Sequence, residues 1–215
     1  MREDFVSRQI SVYQTDKKLV ELLDKLKLAS VENYAHLHAC GERDANGFKQ
    51  ISCIGIKMLD YSNGTGQKTV TVEANLTPDT LIYLFEQIRA NTPGFSFTEE
   101  KIFGIPDQNG TMMVTKLRIV HSDPNIRKLP WGIEVCNGRG VGVKNAKGGT
   151  HMKGGSYQEH GKVFVCLSDA DMYRLFSRAA RFITSWEIAA CPALVKRGHS
   201  AIQQHIAAAQ NRMAP

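Results

Sequence analysis

The hydrophobic pattern of this chain changes twice from strand-like alternation to helical spacing, and the two changes are alike. An alternating run from Thr69 to Leu76 precedes a helical pattern that extends from residue 78 to about residue 90. A second alternating run, from Val163 to Leu167, precedes a helical pattern that extends from residue 169 to about residue 190. The sequence therefore predicts two strand-then-helix elements.

These two elements correspond without a gap at a separation of 91 residues. The matched apolar pairs are Val72 with Val163, Ala74 with Val165, Leu76 with Leu167, Leu81 with Met172, Leu84 with Leu175, and Phe85 with Phe176. The same shift carries Asn46-Gly47 onto Asn137-Gly138 and Asn63-Gly64 onto Gly154-Gly155. Two copies are too few for a solenoid. We therefore expect an α+β fold with a duplicated antiparallel-sheet-plus-helix unit, in which each copy covers the apolar face of the other.

Both predicted helices begin with residues that suit a helix N-terminus. Thr77 can cap the first helix, and Pro78 fits the first helical position because its missing N–H has no partner there anyway. Ser168 can cap the second helix, and Asp169 and Asp171 place negative charge in its first turn. The first helix should end before Pro93-Gly94.

Asn-Gly and glycine-rich segments divide the remaining alternating runs into two meanders, because Asn-Gly favours tight hairpin turns. In the first meander, strands are expected at residues 34–40, 51–58 and 69–76, with turns at Asn46-Gly47 and residues 62–66. In the second, strands are expected near residues 95–103, 112–121, 131–136, 140–145, 151–153 and 163–167, with turns at Asn109-Gly110, Asn137-Gly138 and residues 147–149.

The segment from Thr15 to Leu28 carries five leucines near helical spacing and predicts an amphipathic helix that has no counterpart in the repeat. At the other end, the segment from His199 to Arg212 is rich in Ala and Gln and predicts a helical tail. We thus expect one pseudo-twofold domain over residues 1–215. Its predicted parts are an N-terminal helical extension (1–30), a first unit (31–92), a second unit (93–192) and a helical tail (193–215).

Composition restricts the class of protein. A chain of 215 residues with 42% hydrophobic content can bury a core without metals or disulfides. Its five cysteines form an odd set without C-x-x-C spacing, and no signal peptide opens the chain, so we expect a reducing, cytoplasmic setting. No apolar run approaches the roughly 20 residues of a membrane span.

The net charge of +6 is unevenly distributed. From Arg174 onward only Glu187 opposes six basic residues, which are Arg174, Arg178, Arg181, Lys196, Arg197 and Arg212. Clustered basic residues favour a polyanionic partner, because binding releases counterions from phosphates. An ordinary basic surface is the alternative.

Signs of catalysis or metal binding are few. His36-x-His38-x-Cys40 could point three ligands to one face of a strand, but a fourth ligand is missing, and ordinary strand residues are the favoured interpretation. Gly138-Arg-Gly140-Val-Gly142 lies between predicted strands rather than before a helix, so it predicts a hairpin or bulge and not a dinucleotide site. We expect no enzyme activity, no metal site and no cofactor.

Basic and aromatic residues of the second meander favour nucleic-acid binding. Alternation puts Lys116 and Arg118 on the strand face opposite Leu117 and Ile119. Further cations and rings follow in Lys144, Lys147, His151, Lys153, Tyr157 and Lys162, whereas Trp131 is assigned to the core. In the first unit Lys49, Lys57 and Lys68, with Phe48 and Tyr61, form a weaker equivalent. A cationic sheet with aromatic side chains suits single strands, whose phosphates bind charge and whose bases stack. The predicted binding residues are Lys116, Arg118, Lys144, Lys147, Lys153, Tyr157, Lys49 and Lys57.

Two antiparallel units whose helices begin at Leu76-Thr77 and Leu167-Ser168 resemble the Whirly and transcriptional positive-cofactor-four group of single-stranded DNA-binding proteins. Four segments are also similar to uncharacterised proteins of Firmicutes mobile elements: Lys101-Ile-Phe-Gly104, residues 130–135, Asn137-Gly-Arg-Gly140 and Lys162-Val-Phe-Val-Cys-Leu167. The plant Whirly signature Lys-Gly-Lys-Ala-Ala-Leu is absent, so no family site residue is carried over. The resemblance implies binding of single-stranded DNA with low sequence specificity and assembly of a homo-oligomer.

Two other functions stay open at this stage. The same surface would suit RNA, because nothing in the sequence reports on recognition of the 2′-hydroxyl group. The sheet faces and the long apolar stripe from Met172 to Trp186 would equally suit a protein-interaction or structural module.

Overall fold

A computed structural model describes residues 6–123, 125–146 and 148–213 of the chain, with side chains up to residue 211. The strands are β1 (Gln9–Gln14), β2 (Lys18–Lys25), β3 (Cys40–Arg43), β4 (Lys49–Ile51), β5 (Cys53–Asp60), β6 (Val70–Leu76), β7 (Ser96–Phe103), β8 (Thr111–His121), β9 (Trp131–Lys144), β10 (Thr150–Met152) and β11 (Gln158–Leu167). The helices are α1 (Pro78–Arg89) and α2 (Asp169–Met213), and 3₁₀ turns lie at Tyr34–His36 and Gly66–Lys68.

The strands form two antiparallel sheets, each followed by a helix. The first sheet has the order β1-β2-β5-β6 and leads into α1. In the second sheet β7 pairs with β8 and β8 with β9; the long strand β9 then pairs with β11 along its first part and with β10 at its end. Strands β3 and β4 make a separate hairpin between β2 and β5. The fold is therefore α+β, with antiparallel sheets and two helices, as predicted. The division into a pseudo-twofold domain stays a prediction.

The predicted N-terminal helix is wrong, because the leucine-rich segment forms strand β2. Val20 and Leu22 are fully buried, whereas Leu19 and Leu23 face away from the core. β2 pairs along its whole length with β5 and is flanked on its other side by β1. A dense leucine run satisfies helical and alternating spacing at once, so the neighbouring strands decide its conformation.

Most strands of the two meanders lie where they were expected, with two exceptions. The segment 34–40 contains a 3₁₀ turn followed by Leu37 at φ 59°, and only Cys40 enters a strand. The segments 131–136 and 140–145 form one continuous strand, so Asn137-Gly138 is neither a turn nor a hairpin. The turns at Asn46-Gly47 and Asn109-Gly110 are confirmed, since the N–H groups of Gly47 and Gly110 donate to Asp44 and Asp107.

Asn137 and Gly138 stay in a strand because tertiary contacts use both residues. The side-chain Oδ1 of Asn137 accepts the backbone N–H of Glu73 at 2.7 Å, and Nδ2 donates to the carbonyl of Glu73 at 2.8 Å. These bonds join β9 to the edge strand β6 of the other sheet. A Cβ at Gly138 would meet the carbonyl oxygen of Gln158 in β11. The bulge lies in that partner strand, between Glu159 and Gly161.

Both helix starts are confirmed. The hydroxyl of Thr77 accepts the N–H of Thr80 at 3.2 Å, and the hydroxyl of Ser168 accepts the N–H of Asp171 at 3.2 Å. α2 does not end near residue 190. It continues through Pro192 to Met213, so the expected tail is the end of this helix.

Buried side chains from both sheets and both helices form one cluster. Trp131 is 1% exposed, as assigned from the sequence, and its Nε1 donates to Oδ1 of Asp169 at 3.0 Å. The core members include Val20, Leu22, Ile54, Ile56, Leu76, Leu81, Leu84, Leu117, Ile119, Ile133, Val135, Val163, Leu167, Met172 and Phe176. Because the core takes one face of each sheet, the other face of the second sheet is left for polar side chains.

Candidate nucleic-acid interface

The face of the second sheet that points away from the core carries the predicted residues Lys116 and Arg118. Their neighbours Leu117 and Ile119 are buried on the opposite side, as alternation predicts. We call this surface the outer face. Its members in this region are Thr98, Glu100, Lys116, Arg118, Glu134, Cys136, Tyr157, Lys162 and Phe164, brought together by the register of β7, β8, β9 and β11.

Lys116 lies over an aromatic ring. Its Nζ is 4.0 Å from the ring centroid of Tyr157, within the range of a cation–π interaction. The same Nζ is 3.2 Å from Oε2 of Glu100 on the neighbouring strand. Lys116 is therefore held between a ring and a carboxylate, with about a third of its side chain still exposed (36%).

The ring of Tyr157 lies where β9 has a glycine. A Cβ at position 138 would come within 2.8 Å of Cε2 of Tyr157. The hydroxyl oxygen of Tyr157 is buried and has no hydrogen-bond partner among the residues that the structure describes. This burial is the main cause that raises the pKa of Tyr157 to about 12, and the neighbouring Cys136, Glu159 and Glu100 add to it because the negative charge they carry when ionised opposes a phenolate. The hydroxyl is thus neutral at physiological pH, and the half-buried ring lies between Lys116 and Gly138.

Carboxylates neutralise two of the three cations on the outer face. Lys162 is 2.9 Å from Glu134, and this hydrogen bond and charge raise the pKa of Lys162. Lys116 is paired with Glu100. Arg118 is exposed and lies opposite Glu134 in register, yet it makes no ion pair within 4 Å in the described part of the chain. Arg118 is therefore the open cation of this surface.

A groove of about 470 Å³ follows the outer face between these side chains. Its lining includes Thr98, Glu100, Lys116, Arg118, Glu134 and Cys136. Burial and the charge of Glu134 raise the pKa of the Cys136 thiol, so this side chain is a neutral part of the floor. The groove offers one guanidinium without an ion pair among the described residues, one ammonium over a ring, and the three carboxylates of Glu99, Glu100 and Glu134.

The other predicted binding residues lie elsewhere. Lys144 is the last residue of β9, and Lys153 directly follows β10, which pairs with that C-terminal end of β9. Both side chains are exposed. Lys147 lies outside the described residues. Lys49 belongs to the small β3–β4 hairpin. Lys57 is on the face of the first sheet that points away from the core, 3.6 Å from Glu21. Of the predicted residues that the structure describes, only Lys116, Arg118 and Tyr157 therefore lie together on the outer face.

Sequence reasoning missed the carboxylates Glu100 and Glu134, which limit the positive charge of the outer face. They are remote from Lys116 and Lys162 in sequence, and only strand register brings each pair together. It also missed Phe164, whose ring lies beside Gly132 on the same face. Alternation with the buried Val163 and Val165 was the signal that would have placed Phe164 there.

The His36-x-His38-x-Cys40 segment does not form a ligand set. Nδ1 of His36 is 3.3 Å from Sγ of Cys40, but His38 lies between Ser52 and Glu187 and stacks on Trp186. In residues 6–123, 125–146 and 148–213, no group of three or more His, Cys, Asp or Glu residues is arranged to hold a metal ion. In the same part of the chain, no helix combines the length and apolar character needed to span a membrane.

Comparisons with known proteins identify similar structures but no similar sequence. No protein-family model matches the chain, and no curated protein matches it. The crystal structure of WHY1 from Arabidopsis thaliana is similar over 100% of this chain and 98% of its own, with 11% identity and a TM-score of 0.42. The structure of the plant transcriptional regulator PBF-2 is similar over 95% of this chain and 90% of its own, with 11% identity and a TM-score of 0.44.

These two structures are of the Whirly type that the sequence resemblance named. The resemblance to proteins of Firmicutes mobile elements finds no support in them and stays a prediction. With 11% identity and TM-scores below 0.5, the comparisons leave the ligand of this chain to be argued from its own residues.

Proposed function

We propose that this protein binds single-stranded DNA with low sequence specificity, through the outer face of its second sheet. The observation that carries this proposal is the position of Lys116, 4.0 Å from the ring centroid of Tyr157 and on the same exposed face as the unpaired Arg118. Single strands bind surfaces that combine cations for the phosphates with rings for the bases.

The ion pairs on the outer face permit exchange with a phosphate. An exposed pair such as Lys116–Glu100 contributes only about 0–1 kcal/mol, so little is lost when Lys116 turns to a phosphate oxygen. Arg118 needs no exchange, and its planar guanidinium can bind a phosphate with two hydrogen bonds. Arg118 is therefore expected to supply more of the affinity than Lys116.

Stacking supplies the sequence tolerance. The neutral ring of Tyr157 and the half-buried ring of Phe164 flank the cations, and every base has a face that can stack on such rings. Replication, DNA transfer, repair and transcription all expose single strands, and this surface suits each of them. No described side chain of the outer face is placed to distinguish deoxyribose from ribose. Binding of single-stranded RNA is therefore measured beside that of single-stranded DNA.

The test is a fluorescence-anisotropy titration of labelled single-stranded DNA, duplex DNA and single-stranded RNA of one mixed sequence, at low and moderate salt. We expect single strands to bind more tightly than the duplex at both salt concentrations. The double variant K116E/R118E should weaken binding by roughly tenfold or more and reduce its salt dependence. The matched control is R127E/K128E, which makes the same charge change at two exposed residues between β8 and β9 that line neither groove. Equal effects of the two variants would contradict the proposed site.

A second candidate function is self-association through the end of α2. Residues 202–211 are exposed, and Ile202 and Ile206 lie one turn apart on the same side of the helix. A helix end of this length is marginal in water without packing. If it is a contact between copies, I202E/I206E should lower the molar mass measured by light scattering. A monomeric wild-type protein at micromolar concentration would contradict this function.

A further inference from the structure

A second basic surface lies between β1 and α2. Three arginines line a groove of about 690 Å³ there: Arg8, Arg178 and Arg181. All three are exposed. None of the binding residues predicted from the sequence belongs to this groove, although Arg178 and Arg181 are part of the basic C-terminal segment that first indicated a polyanionic partner.

The fold holds the two walls of this groove together. The hydroxyl of Ser11 in β1 is buried and donates to the carbonyl of Leu175 in α2 at 2.8 Å. The N–H of Asp24 in β2 donates to the carbonyl of Arg8 at 2.8 Å, so the residue that precedes β1 is also attached to β2. Arg178 and Arg181 are three residues apart on α2 and therefore project to the same side. Two of the three arginines are thus carried by a helix, and the backbone of the third, Arg8, is hydrogen-bonded to β2 just before β1 begins.

Among the residues that the structure describes, the positive charge of this groove is only partly balanced. None of the three arginines lies within 4 Å of a carboxylate in the described residues, and Asp24 is the acidic residue of the lining. Oδ1 of Asp24 already accepts the N–H of Leu26 at 2.9 Å. On the outer face, by contrast, two of three cations are paired with glutamates. The groove between β1 and α2 therefore holds a larger unpaired positive charge than the proposed site does.

The remaining lining suits a phosphate ester better than a bare ion. Ile10 and Phe182 are half-buried in the same groove and provide an apolar floor next to the guanidinium groups. Arginine binds phosphate oxygens through two parallel hydrogen bonds, and an adjacent apolar surface can hold a sugar or base.

We propose that the groove formed by Arg8, Arg178 and Arg181 binds the phosphates of a nucleic-acid strand and is a second contact surface, separate from the outer face. It shares with the proposed function the class of ligand but none of the residues. A strand long enough to reach both surfaces would gain affinity over a short one, because the second contact becomes intramolecular.

The test uses the full-length chain and the same anisotropy titration. R178E/R181E should weaken binding of single-stranded DNA by about tenfold or more, and the slope of log K against log salt should fall by about 1.4 for two lost phosphate contacts. R127E/K128E again gives the effect of an equal charge change outside the groove. R178K/R181K keeps the charge but removes the two-pronged hydrogen bonds, so its affinity should lie between those of wild type and R178E/R181E.

The outcomes separate the two sites. Loss of affinity in R178E/R181E with wild-type affinity in K116E/R118E would support the groove and overturn the outer face as the binding site. The reverse result, or a loss in R178E/R181E no larger than in R127E/K128E, would overturn the groove. Circular dichroism and light scattering show whether each variant keeps the fold and the molar mass of the wild type. If R178E/R181E does not, R178K/R181K decides, because it leaves the charge unchanged: weaker binding than wild type supports the groove, and wild-type affinity overturns it.

If inorganic triphosphate binds the wild-type protein as tightly as the oligonucleotide does, and R178E/R181E abolishes only that binding, the groove is a site for free phosphates and the proposal is wrong. We expect triphosphate to displace the labelled strand only at a much higher concentration than the unlabelled oligonucleotide does. A wild-type protein with no affinity for any single strand at low salt would overturn both proposals.

Discussion

Replacing Gly138 by alanine is expected to destabilise the protein and to disturb the outer face at once. The new Cβ would meet the backbone carbonyl of Gln158, which has no freedom to rotate away, and would come within 2.8 Å of Cε2 of Tyr157. Strand β11 must then shift from β9 or the ring must leave its place. Overpacking of this kind costs about 1–3 kcal/mol.

Two other glycines act as graded controls. A Cβ at Gly140 would also be crowded, but mainly by Sδ of Met152 at 2.7 Å, the flexible end of a side chain. A Cβ at Gly154 would meet nothing within 4 Å. The expected order of stability is therefore G154A, then G140A, then G138A. G154A should be neutral or slightly stabilising, because alanine restricts the unfolded chain.

The assay is urea unfolding followed by circular dichroism, combined with the anisotropy titration under conditions where each variant is folded. G138A should also bind single-stranded DNA more weakly than G154A, since the ring of Tyr157 is displaced. A free energy of unfolding for G138A within about 0.5 kcal/mol of the wild-type value would refute the steric reasoning. Unchanged affinity in a destabilised G138A would show that the position of this ring does not matter for binding.

Two further predictions concern side-chain hydrogen bonds that stabilise the fold. N137A removes both hydrogen bonds to the backbone of Glu73 and leaves those groups without this partner. Urea unfolding should therefore show that the free energy of unfolding falls by about 1–3 kcal/mol. A variant as stable as wild type would mean that water replaces the amide. Hydrogen bonds from the backbone and hydroxyl of Thr111 are the main causes that lower the pKa of Asp107, with Arg139 adding to them. Because the folded-state pKa is below the unfolded one, this contribution to stability is present above the ordinary aspartate pKa and is lost as the pH falls through the lowered value. Stability of wild type relative to D107N should therefore decrease on acidification, and a difference that does not change with pH would contradict this assignment.

The parts of the fold that could be predicted depend on neighbours in sequence. Thr77 and Ser168 cap helices by bonds to N–H groups three residues away, so their role is visible in the sequence. Asn109-Gly110 makes its turn for the same reason, since Gly110 adopts φ 72° and closes on Asp107. Alternation correctly placed Lys116 and Arg118 on one side of β8, because successive side chains of a strand point to opposite faces.

The errors arose where a distant segment decides. The leucines of β2 suit a helix equally well, and only pairing with β5 selects the strand. Asn137-Gly138 has the chemistry of a turn, yet the backbone of Glu73 binds the amide and the strand continues. The end of α2 near residue 190 was also wrong, because Pro192 does not end the helix.

The sequence by itself determined the class of fold, the two helix starts and the polar character of one side of β8, because local hydrogen bonds and the two-residue period of a strand control these features. Tertiary structure alone decided the balance of charge. It placed Glu100 against Lys116 and Glu134 against Lys162 through strand register, and it set Arg8 beside Arg178 across the groove between β1 and α2. Electrostatic interactions depend on the distance between charges in space. Positions along the chain do not give that distance before the sheets and helices pack.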